Sequence, residues 1–427
     1  MIATSLILLL VLLGISIPVG AALGVLGLIL EPIYSMLPLS RAMGEISWST
    51  SNEFLLVAIP LFIMLGEILL RSGLAERMYN AMSMWLSWLP GGLMHANIGA
   101  SALFAATSGS SVATAATVGT VAIPQIRKKG YNESLFLGSL AAGGTLGILI
   151  PPSINLIIYG VLTNTSVPKL YLAGIIPGLL MAVLFMAVIA IACIVKPAWG
   201  GDRTRSSWHA RVSSLVDLIP PLGIFLLVVG SIYAGLATPT EAAALGVVGA
   251  LLLAAWMRRL TWTMLREVFE GTMKSTAMIM LIVIGAAFLN FVMSGIGLTS
   301  AITNAIAGLH VSPAVMLLVM VVFYLILGCF METLSMMITT IPIIAPIMIG
   351  LGFDPVWLGI VIIILVETAL ITPPVGLNLF VVQSLRTTGS MNAVIAGSLP
   401  FVIMLLLMIG VLYWIPNLAL WLPTLFG

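Results

Sequence analysis

Two short polar stretches interrupt long apolar segments at matching places in the sequence. Thr107–Ser111 reads Thr-Ser-Gly-Ser-Ser and lies within the apolar segment 98–124. Gly328–Thr333 ends in Glu-Thr and lies within the apolar segment 313–350. Hydroxyl, carboxylate and backbone carbonyl oxygens can coordinate a hard monovalent cation where a helix is interrupted. Each stretch therefore predicts an oxygen-lined ion site at the tip of a re-entrant hairpin made of two half-length helices.

The composition indicates that these segments lie in a lipid bilayer. Of the 427 residues, 61% are hydrophobic and only 7% are charged, whereas a soluble domain carries about 25% charged residues. Repeated apolar runs of roughly 15–20 residues approach the length that crosses the hydrocarbon core as a helix. We therefore predict an all-α polytopic membrane protein. A net charge of +2 without an extended basic patch argues against nucleic-acid binding.

Two further apolar segments, 134–166 and 355–385, each contain a proline pair, Pro151-Pro152 and Pro373-Pro374. A proline removes a helical hydrogen-bond donor and clashes with the preceding turn, so both segments should break near the bilayer midplane. Unwound backbone is tolerated at that depth only where protein buries it or a cavity is lined by it. The amino termini of half-helices can also face an anionic substrate. Both segments are therefore predicted to be broken helices beside a binding site.

The sequence contains an internal duplication with a constant offset of 222 residues, as the two proline pairs illustrate (373 − 151 = 222). The same offset relates Ala21–Gly24 to Ala243–Gly246, Ser72 to Ser294, Thr117 to Thr339, Pro124 to Pro346 and Gly130 to Gly352. One offset across a whole half of the chain indicates two repeats. The first repeat is predicted at 1–195, with a hairpin at about 95–124 and a broken helix at about 134–166. A linker follows at 196–217, and the second repeat spans 218–427, with a hairpin at about 313–350 and a broken helix at about 355–385.

The distribution of basic residues predicts that the two repeats are inverted. The loop that contains Arg127, Lys128 and Lys129 should be cytoplasmic by the positive-inside rule. Its counterpart in the second repeat, 349–354, contains no Lys or Arg. Equivalent loops would then lie on opposite faces of the membrane. The basic linker 196–217 is predicted to be cytoplasmic as well.

Charged stretches at 39–53 and 258–274 precede the third apolar segment of each half. Trp48, Trp256 and Trp262 suit the boundary between membrane and water. Both stretches are therefore predicted to be interfacial amphipathic helices.

These features favour a secondary transporter, because broken elements at corresponding positions of two inverted halves mark transporter binding sites. The sequence has no His-Glu-x-x-His motif and no Gly-x-x-x-x-Gly-Lys-[Ser/Thr] loop, which argues against an intramembrane metalloenzyme and against ATP hydrolysis. A channel remains a less favoured alternative. A self-sufficient symporter coupled to sodium or protons is the other one. Its proton-coupled form would use Glu332 or Glu367, since carboxylates inside a membrane are costly and usually functional.

The motifs resemble the large membrane subunit of tripartite ATP-independent periplasmic (TRAP) transporters. The similar stretches are Ala105–Gly119, Gly143–Ser153, Met331–Thr333, Ile341–Pro346 and Thr372–Asn378. The resemblance implies a symporter of the ion-transporter superfamily in the bacterial inner membrane. It would work as an elevator, with a scaffold and a moving transport domain that carries the hairpins. Na⁺ would be the coupling ion, and a small organic acid would be the substrate.

The resemblance also implies two protein partners. One is a small four-helix membrane subunit, expected as a separate polypeptide because no apolar four-helix extension is visible at either end of the sequence. The other is a soluble periplasmic protein that binds the substrate and delivers it.

The family's two sodium sites can be carried over residue by residue. The first would comprise Ser108, Gly109, Ser110 and Ser111 at the hairpin tip with Gly143, Gly144, Thr145 and Gly147 at a bend in the broken helix. The second would comprise Glu332, Thr333, Thr368, Thr372 and Gly376. Ser153, Asn155 and Asn378 would line the substrate site.

Overall fold

The computed structural model describes residues 1–202, 207–298, 300–301, 311–386 and 388–426. Within these ranges the fold is all-helical, as predicted, and the only β-type pairing among them is an isolated bridge between Tyr131 and Gly200. Seven of the described helices are long and apolar enough to cross a membrane, or eight when one sharply bent pair counts as a single span. The prediction of an all-α polytopic membrane protein is confirmed.

The first half of the chain contains the following α-helices: α1 Ile2–Gly14, α2 Val19–Tyr34, α3 Met43–Ser51, α4 Ala58–Arg71, α5 Leu74–Leu86, α6 Leu93–Ser108, α7 Ser111–Lys129, α8 Glu133–Leu149, α9 Ile154–Thr163 and α10 Val167–Val195. The second half contains α11 Trp208–Tyr233, which includes short 3₁₀ and π segments, α12 Pro239–Trp256, α13 Trp262–Gly295, α14 Pro313–Leu327, α15 Thr333–Gly350, α16 Pro355–Ile371, α17 Leu377–Ser384, α18 Met391–Trp414 and α19 Asn417–Phe426. Helices α7 and α15 begin 222 residues apart (333 − 111), as do α8 and α16 (355 − 133). The duplication is therefore visible in the helix boundaries.

Helices α6 and α7 form a helical hairpin, because the outer ends of both helices meet at one tyrosine. The amide of Leu93, the first residue of α6, donates to the Tyr131 hydroxyl at 3.0 Å, and α7 ends two residues before that tyrosine. The tip lies at the opposite end of α8. There, a Cβ built on Gly109 would lie 2.8 Å from the carbonyl oxygen of Pro152. The two helices span 93–129.

Helices α14 and α15 form the second hairpin. The hydroxyls of Tyr324 and Thr340 lie 2.7 Å apart across its two arms. At the tip, Gly328 packs directly against Ala369 near the end of α16. The two helices span 313–350.

The broken helices α8–α9 and α16–α17 run antiparallel to each other. At one end the hydroxyl of Tyr159 in α9 donates to the carbonyl oxygen of Pro355 at 2.6 Å. At the other end Arg386, two residues beyond α17, pairs with Glu133 at 2.5 Å. The end of each broken helix thus contacts the start of the other, so the two repeats are inverted, as predicted. Both proline pairs lie in the breaks, and α9 is bent by 44° from α8.

The two charged stretches that were predicted as interfacial helices differ in structure. The first contains a separate helix, α3, because Asn52 and Glu53 leave the helical conformation after it. The second prediction is wrong, since 262–274 is the first part of the continuous 34-residue helix α13. At 1.5 Å per residue this helix is about 51 Å long and exceeds a hydrocarbon core of about 30 Å.

Two parts of the predicted linker 196–217 are described, 196–202 and 207–217. Residues 203–206 lie outside the described residues. Its first part pairs with the loop after α7: the amide of Asn132 donates to the Trp199 carbonyl at 3.1 Å, and that of Asp202 to the Lys129 carbonyl at 2.9 Å. From Trp208 onward the chain already belongs to α11. The helix therefore begins earlier than predicted.

Candidate ion- and substrate-binding site

Gly109 and Ser110 make the turn at the first hairpin tip. Gly109 ends α6 in the left-handed conformation, with a φ of 60°, which glycine adopts at little cost. Ser110 is extended, and its Oγ accepts a hydrogen bond from the amide of Ala113 at 3.4 Å. It thereby caps the amino terminus of α7. The Ser-Gly-Ser-Ser sequence thus ends one helix and starts the next within two residues.

A second group of hydroxyls lies one turn from this tip. The Oγ of Ser108 lies 3.1 Å from Oγ1 of Thr114, and the Thr114 hydroxyl also donates to the Ser110 carbonyl at 2.7 Å. The sequence motifs did not indicate Thr114. Its position four residues after the capping serine, where a hydroxyl can bond the carbonyl of the preceding turn, could have indicated it.

A side-chain hydrogen bond joins the first tip to the second repeat. The hydroxyl of Ser111 donates to Oε1 of Glu367 in α16 at 2.5 Å. Glu367 is only 1% exposed, and its Oε2 has no hydrogen-bond partner among the described residues. The sequence indicated that Glu367 is an intramembrane carboxylate, but it assigned this residue to neither sodium site.

The glycines of α8 allow the first hairpin to approach closely. A Cβ on Gly147 would lie 2.7 Å from the Ser110 carbonyl oxygen, and a Cβ on Gly144 would lie 3.1 Å from that of Ser111. A Cβ on Gly143 would lie 2.7 Å from the hydroxyl of Ser101 in α6. These glycines are a packing surface.

The predicted bend at Gly143–Gly147 is therefore wrong in position, because α8 stays helical through Leu149. The chain unwinds at 150–153, where Pro151 and Pro152 lack the amides that would continue the helix. These prolines also leave the carbonyls of Gly147 and Ile148 without helical donors, four residues earlier. Thr145 uses its hydroxyl within its own helix, donating to the Ala142 carbonyl at 2.6 Å.

At the second tip, Glu332 caps the amino terminus of α15. Its carboxylate accepts hydrogen bonds from the amide of Ser335 at 3.3 Å and from the hydroxyls of Thr333 at 2.9 Å and Ser335 at 3.4 Å. All these partners lie within three residues of Glu332. The second tip therefore holds its carboxylate by local contacts.

The other residues of the predicted second site lie along the end of α16. The hydroxyl of Thr368 donates to the Ile364 carbonyl, and that of Thr372 donates to the Thr368 carbonyl, both at 2.6 Å. Gly376 starts α17 with a φ of 40°. The second tip reaches this region through Gly328 and Ala369, next to Thr368.

The three predicted substrate-lining residues are all buried. The Oγ of Ser153 caps α9 by accepting from the Leu156 amide at 3.4 Å. The amide nitrogen of Asn155 lies 3.3 Å from the sulfur of Met337, and that of Asn378 donates to the Ala141 carbonyl at 3.4 Å. Asn155 and Asn378 therefore lie at the interface between the repeats, whereas Ser153 contacts its own repeat.

A cavity of about 340 Å³ lies beside α9 and α15. Polar side chains that sequence analysis did not select line part of it: Ser49, Thr50, Glu53 and Asn290. They come from the last turn of α3, from the connection that follows it and from α13. Only the folded structure brings these two elements to the broken helix.

Paired hairpins and broken helices in inverted repeats define this chain as a membrane transporter in class. It matches the model of the family described as "Tripartite ATP-independent periplasmic transporter, DctM component" over residues 6–418. The chain belongs to this family and is a TRAP transporter large permease subunit. It is accordingly a multi-pass protein of the inner membrane and a component of a secondary transporter, as predicted.

Curated relatives support this membership. The chain is 37% identical to the C4-dicarboxylate TRAP transporter large permease protein DctM of Pseudomonas aeruginosa over 390 residues, which cover 91% of this chain and 90% of that one. It is 31% identical to the sialic acid TRAP transporter large permease protein SiaM of Vibrio cholerae, covering 88% and 87%. These relatives are transporter permease subunits, and none of the names describes an enzyme.

A solved structure shares the fold. The crystal structure of the Alcanivorax borkumensis YdaH transporter, described as having an unusual topology, superimposes with a TM-score of 0.63 and covers 94% of this chain and 96% of that one. The two sequences are 19% identical. The similarity therefore extends to the fold alone.

Proposed function

We propose that this chain forms the path across the membrane in a sodium-coupled importer of a small organic acid. The observation that carries the proposal is the first hairpin tip. There the Ser108 and Thr114 hydroxyls, the Ser110 carbonyl and the Glu367 carboxylate lie beside a proline break that frees further carbonyls. Such an oxygen-rich, buried environment suits Na⁺. The sequence has no nucleotide-binding loop, so an ion gradient is the energy source that fits it.

The helix termini support an anionic substrate. Helices α9 and α15 begin side by side. Asn155, in the first turn of α9, contacts Met337, which lies near the start of α15. Helices α7 and α17 likewise begin next to the same point of α8, at Gly144. Four amino termini with positive dipole ends thus converge on the centre. Both relatives named above are designated for carboxylate substrates, which fits an organic acid.

We extend the proposal to partners and motion. As a large permease subunit, the chain would work with a small four-helix membrane subunit and a periplasmic substrate-binding protein. The hairpins α6–α7 and α14–α15 would move together with the two broken helices, in an elevator mechanism, against the remaining helices. The linker 196–217 would face the cytoplasm.

The proposal is tested by reconstituting the chain with both partners in proteoliposomes. We expect substrate accumulation with an inward sodium gradient, little accumulation when choline replaces sodium, and no effect of internal or external ATP. Equal uptake in the two buffers would contradict sodium coupling. Accumulation by the purified chain without its partners would support the self-sufficient symporter instead.

A further inference from the structure

Two buried acceptor oxygens near the first hairpin tip lack donors among the described residues: Oε2 of Glu367 and Oδ1 of Asn378. Each side chain is held in place by its other polar atom. Oε1 of Glu367 accepts from Ser111, and the amide nitrogen of Asn378 donates to the Ala141 carbonyl. Because a carbonyl can only accept, the nitrogen of Asn378 faces Ala141 and the oxygen is the free atom.

Asn378 and the backbone of Ser111 flank the same point of α8. A Cβ on Gly144 would lie 2.9 Å from the Asn378 amide nitrogen and 3.1 Å from the Ser111 carbonyl oxygen. The Ser111 side chain in turn binds Glu367. We call Ser111, Glu367 and Asn378 the cross-repeat cluster, since the first belongs to the first repeat and the other two to the second.

The cluster has a carboxylate without a balancing positive charge. The five ion pairs found within the described ranges join other residues: Glu67 and Glu267 with Arg71, Asp217 with Arg77, Glu270 with Arg266, and Glu133 with Arg386. A buried carboxylate that has neither a cation nor a full set of donors is strongly unfavourable. A bound cation would supply the missing charge and would use both free oxygens.

We infer that Glu367 is the charged ligand, and Asn378 a neutral ligand, of the cation bound at the first hairpin tip. The inference rests on the proposed sodium coupling and deepens it, because the predicted first site drew all its ligands from the first repeat. In this arrangement the ion joins the tip of one repeat to both halves of the other repeat's broken helix. Binding of the ion then stabilises the contact between the repeats.

The experiment measures sodium binding without substrate or partners. The purified chain is heated in detergent with increasing sodium chloride, and choline chloride keeps the ionic strength constant. We expect Na⁺ to raise the melting temperature of the parent. In Glu367→Gln, which keeps the size and the acceptor for Ser111 but removes the charge, the midpoint of the sodium effect should rise at least tenfold. The matched control is Glu67→Gln, an intrahelical carboxylate already paired with Arg71, whose sodium midpoint should stay within twofold of the parent.

The outcomes separate this inference from the proposed function. If the parent shows no sodium-specific stabilisation, the proposed sodium coupling is wrong. If the parent is stabilised and Glu367→Gln has the same midpoint, sodium coupling stands and the role of Glu367 is overturned. Should Glu367→Gln fail to fold, Asn378→Ala decides: a midpoint raised severalfold supports the cross-repeat cluster, and an unchanged one contradicts it.

Discussion

Each hairpin tip has one carboxylate, but the two tips obtain it from different positions. At the first tip the capping residue is Ser110, and the acid is Glu367 from the opposite repeat. At the second tip the equivalent capping residue is itself the acid, Glu332 (332 − 110 = 222). The position equivalent to Glu367 is Thr145 (367 − 145 = 222), whose hydroxyl bonds its own helix. Both acids therefore come from the second repeat, so duplication preserved the geometry while the chemistry diverged.

The difference has a structural consequence for each tip. The first tip depends on a contact between residues 256 positions apart in the chain, whereas the second holds its carboxylate through partners within one helical turn. Changes at the first tip should therefore disturb the interface between the repeats. Changes at the second should act locally.

The largest expected effect is a difference in the side of the membrane from which equivalent loops of the two repeats can be labelled. Single cysteines at Lys128 and Phe353, in a background without Cys193 and Cys329, should react with an impermeant thiol reagent from opposite sides of the membrane. The reason is that the two loops occupy equivalent positions of antiparallel repeats. Labelling in intact spheroplasts and in inverted vesicles measures it. Labelling of both cysteines from the same side would refute the inversion.

A second prediction uses the packing at the second tip. There the hairpin carries Gly328 and the broken helix carries Ala369, whereas the equivalent positions at the first tip are Ala106 and Gly147. Gly328 faces Ala369, and a Cβ on Gly328 would overlap the Cβ of Ala369. Gly328→Ala should destabilise the protein by about 1–3 kcal/mol through overpacking and abolish uptake. Adding Ala369→Gly should restore most of both. Thermal melting and uptake test this, and failure of the second change to rescue the first would contradict the packing.

A third prediction separates capping from charge at the second tip. Glu332→Ser recreates the first tip's cap and removes the carboxylate, so stability should be retained while the sodium affinity falls. Glu332→Ala should also lose about 1 kcal/mol of stability, because the cap is lost. Melting temperature and sodium dependence of uptake are measured for both variants. Equal sodium dependence in Glu332→Ser and the parent would show that this carboxylate only caps its helix.

A fourth prediction compares the two ends at which the broken helices meet. Glu133→Gln leaves Arg386, whose side chain is 3% exposed, without its charged partner and should cost about 1.5–3 kcal/mol. Tyr159→Phe removes a neutral hydrogen bond to the Pro355 carbonyl and should cost about 1 kcal/mol. Thermal melting ranks the two variants. The reverse order would mean that the neutral end carries more of the contact between the repeats.

The elements were predictable from the sequence because their boundaries are set locally. Proline pairs break both long helices. Glycine and capping residues likewise end one helix and start the next within a few residues. The helix boundaries also follow the duplication.

The chemistry at the first tip was only partly predictable. The contact between Ser111 and Glu367 links positions that are distant in the sequence. The duplication is misleading here, because the residue equivalent to Glu367 in the first repeat is Thr145, which is not an acid and bonds its own helix. The sequence predicts a bend at the α8 glycines, although glycine serves equally well where two helices pack closely. The continuous helix through Leu149 and the Ser110 carbonyl against Gly147 distinguish the two roles.

The most direct test of the account is the number of sodium ions that the purified chain binds. Equilibrium binding of radioactive sodium should show two sites per chain in the parent, one at each tip. Glu367→Gln should lose the site at the first tip and Glu332→Gln the site at the second, and the double variant should lose both. No saturable binding by the parent, or two intact sites in both single variants, would contradict the assignment of one carboxylate and one ion to each tip.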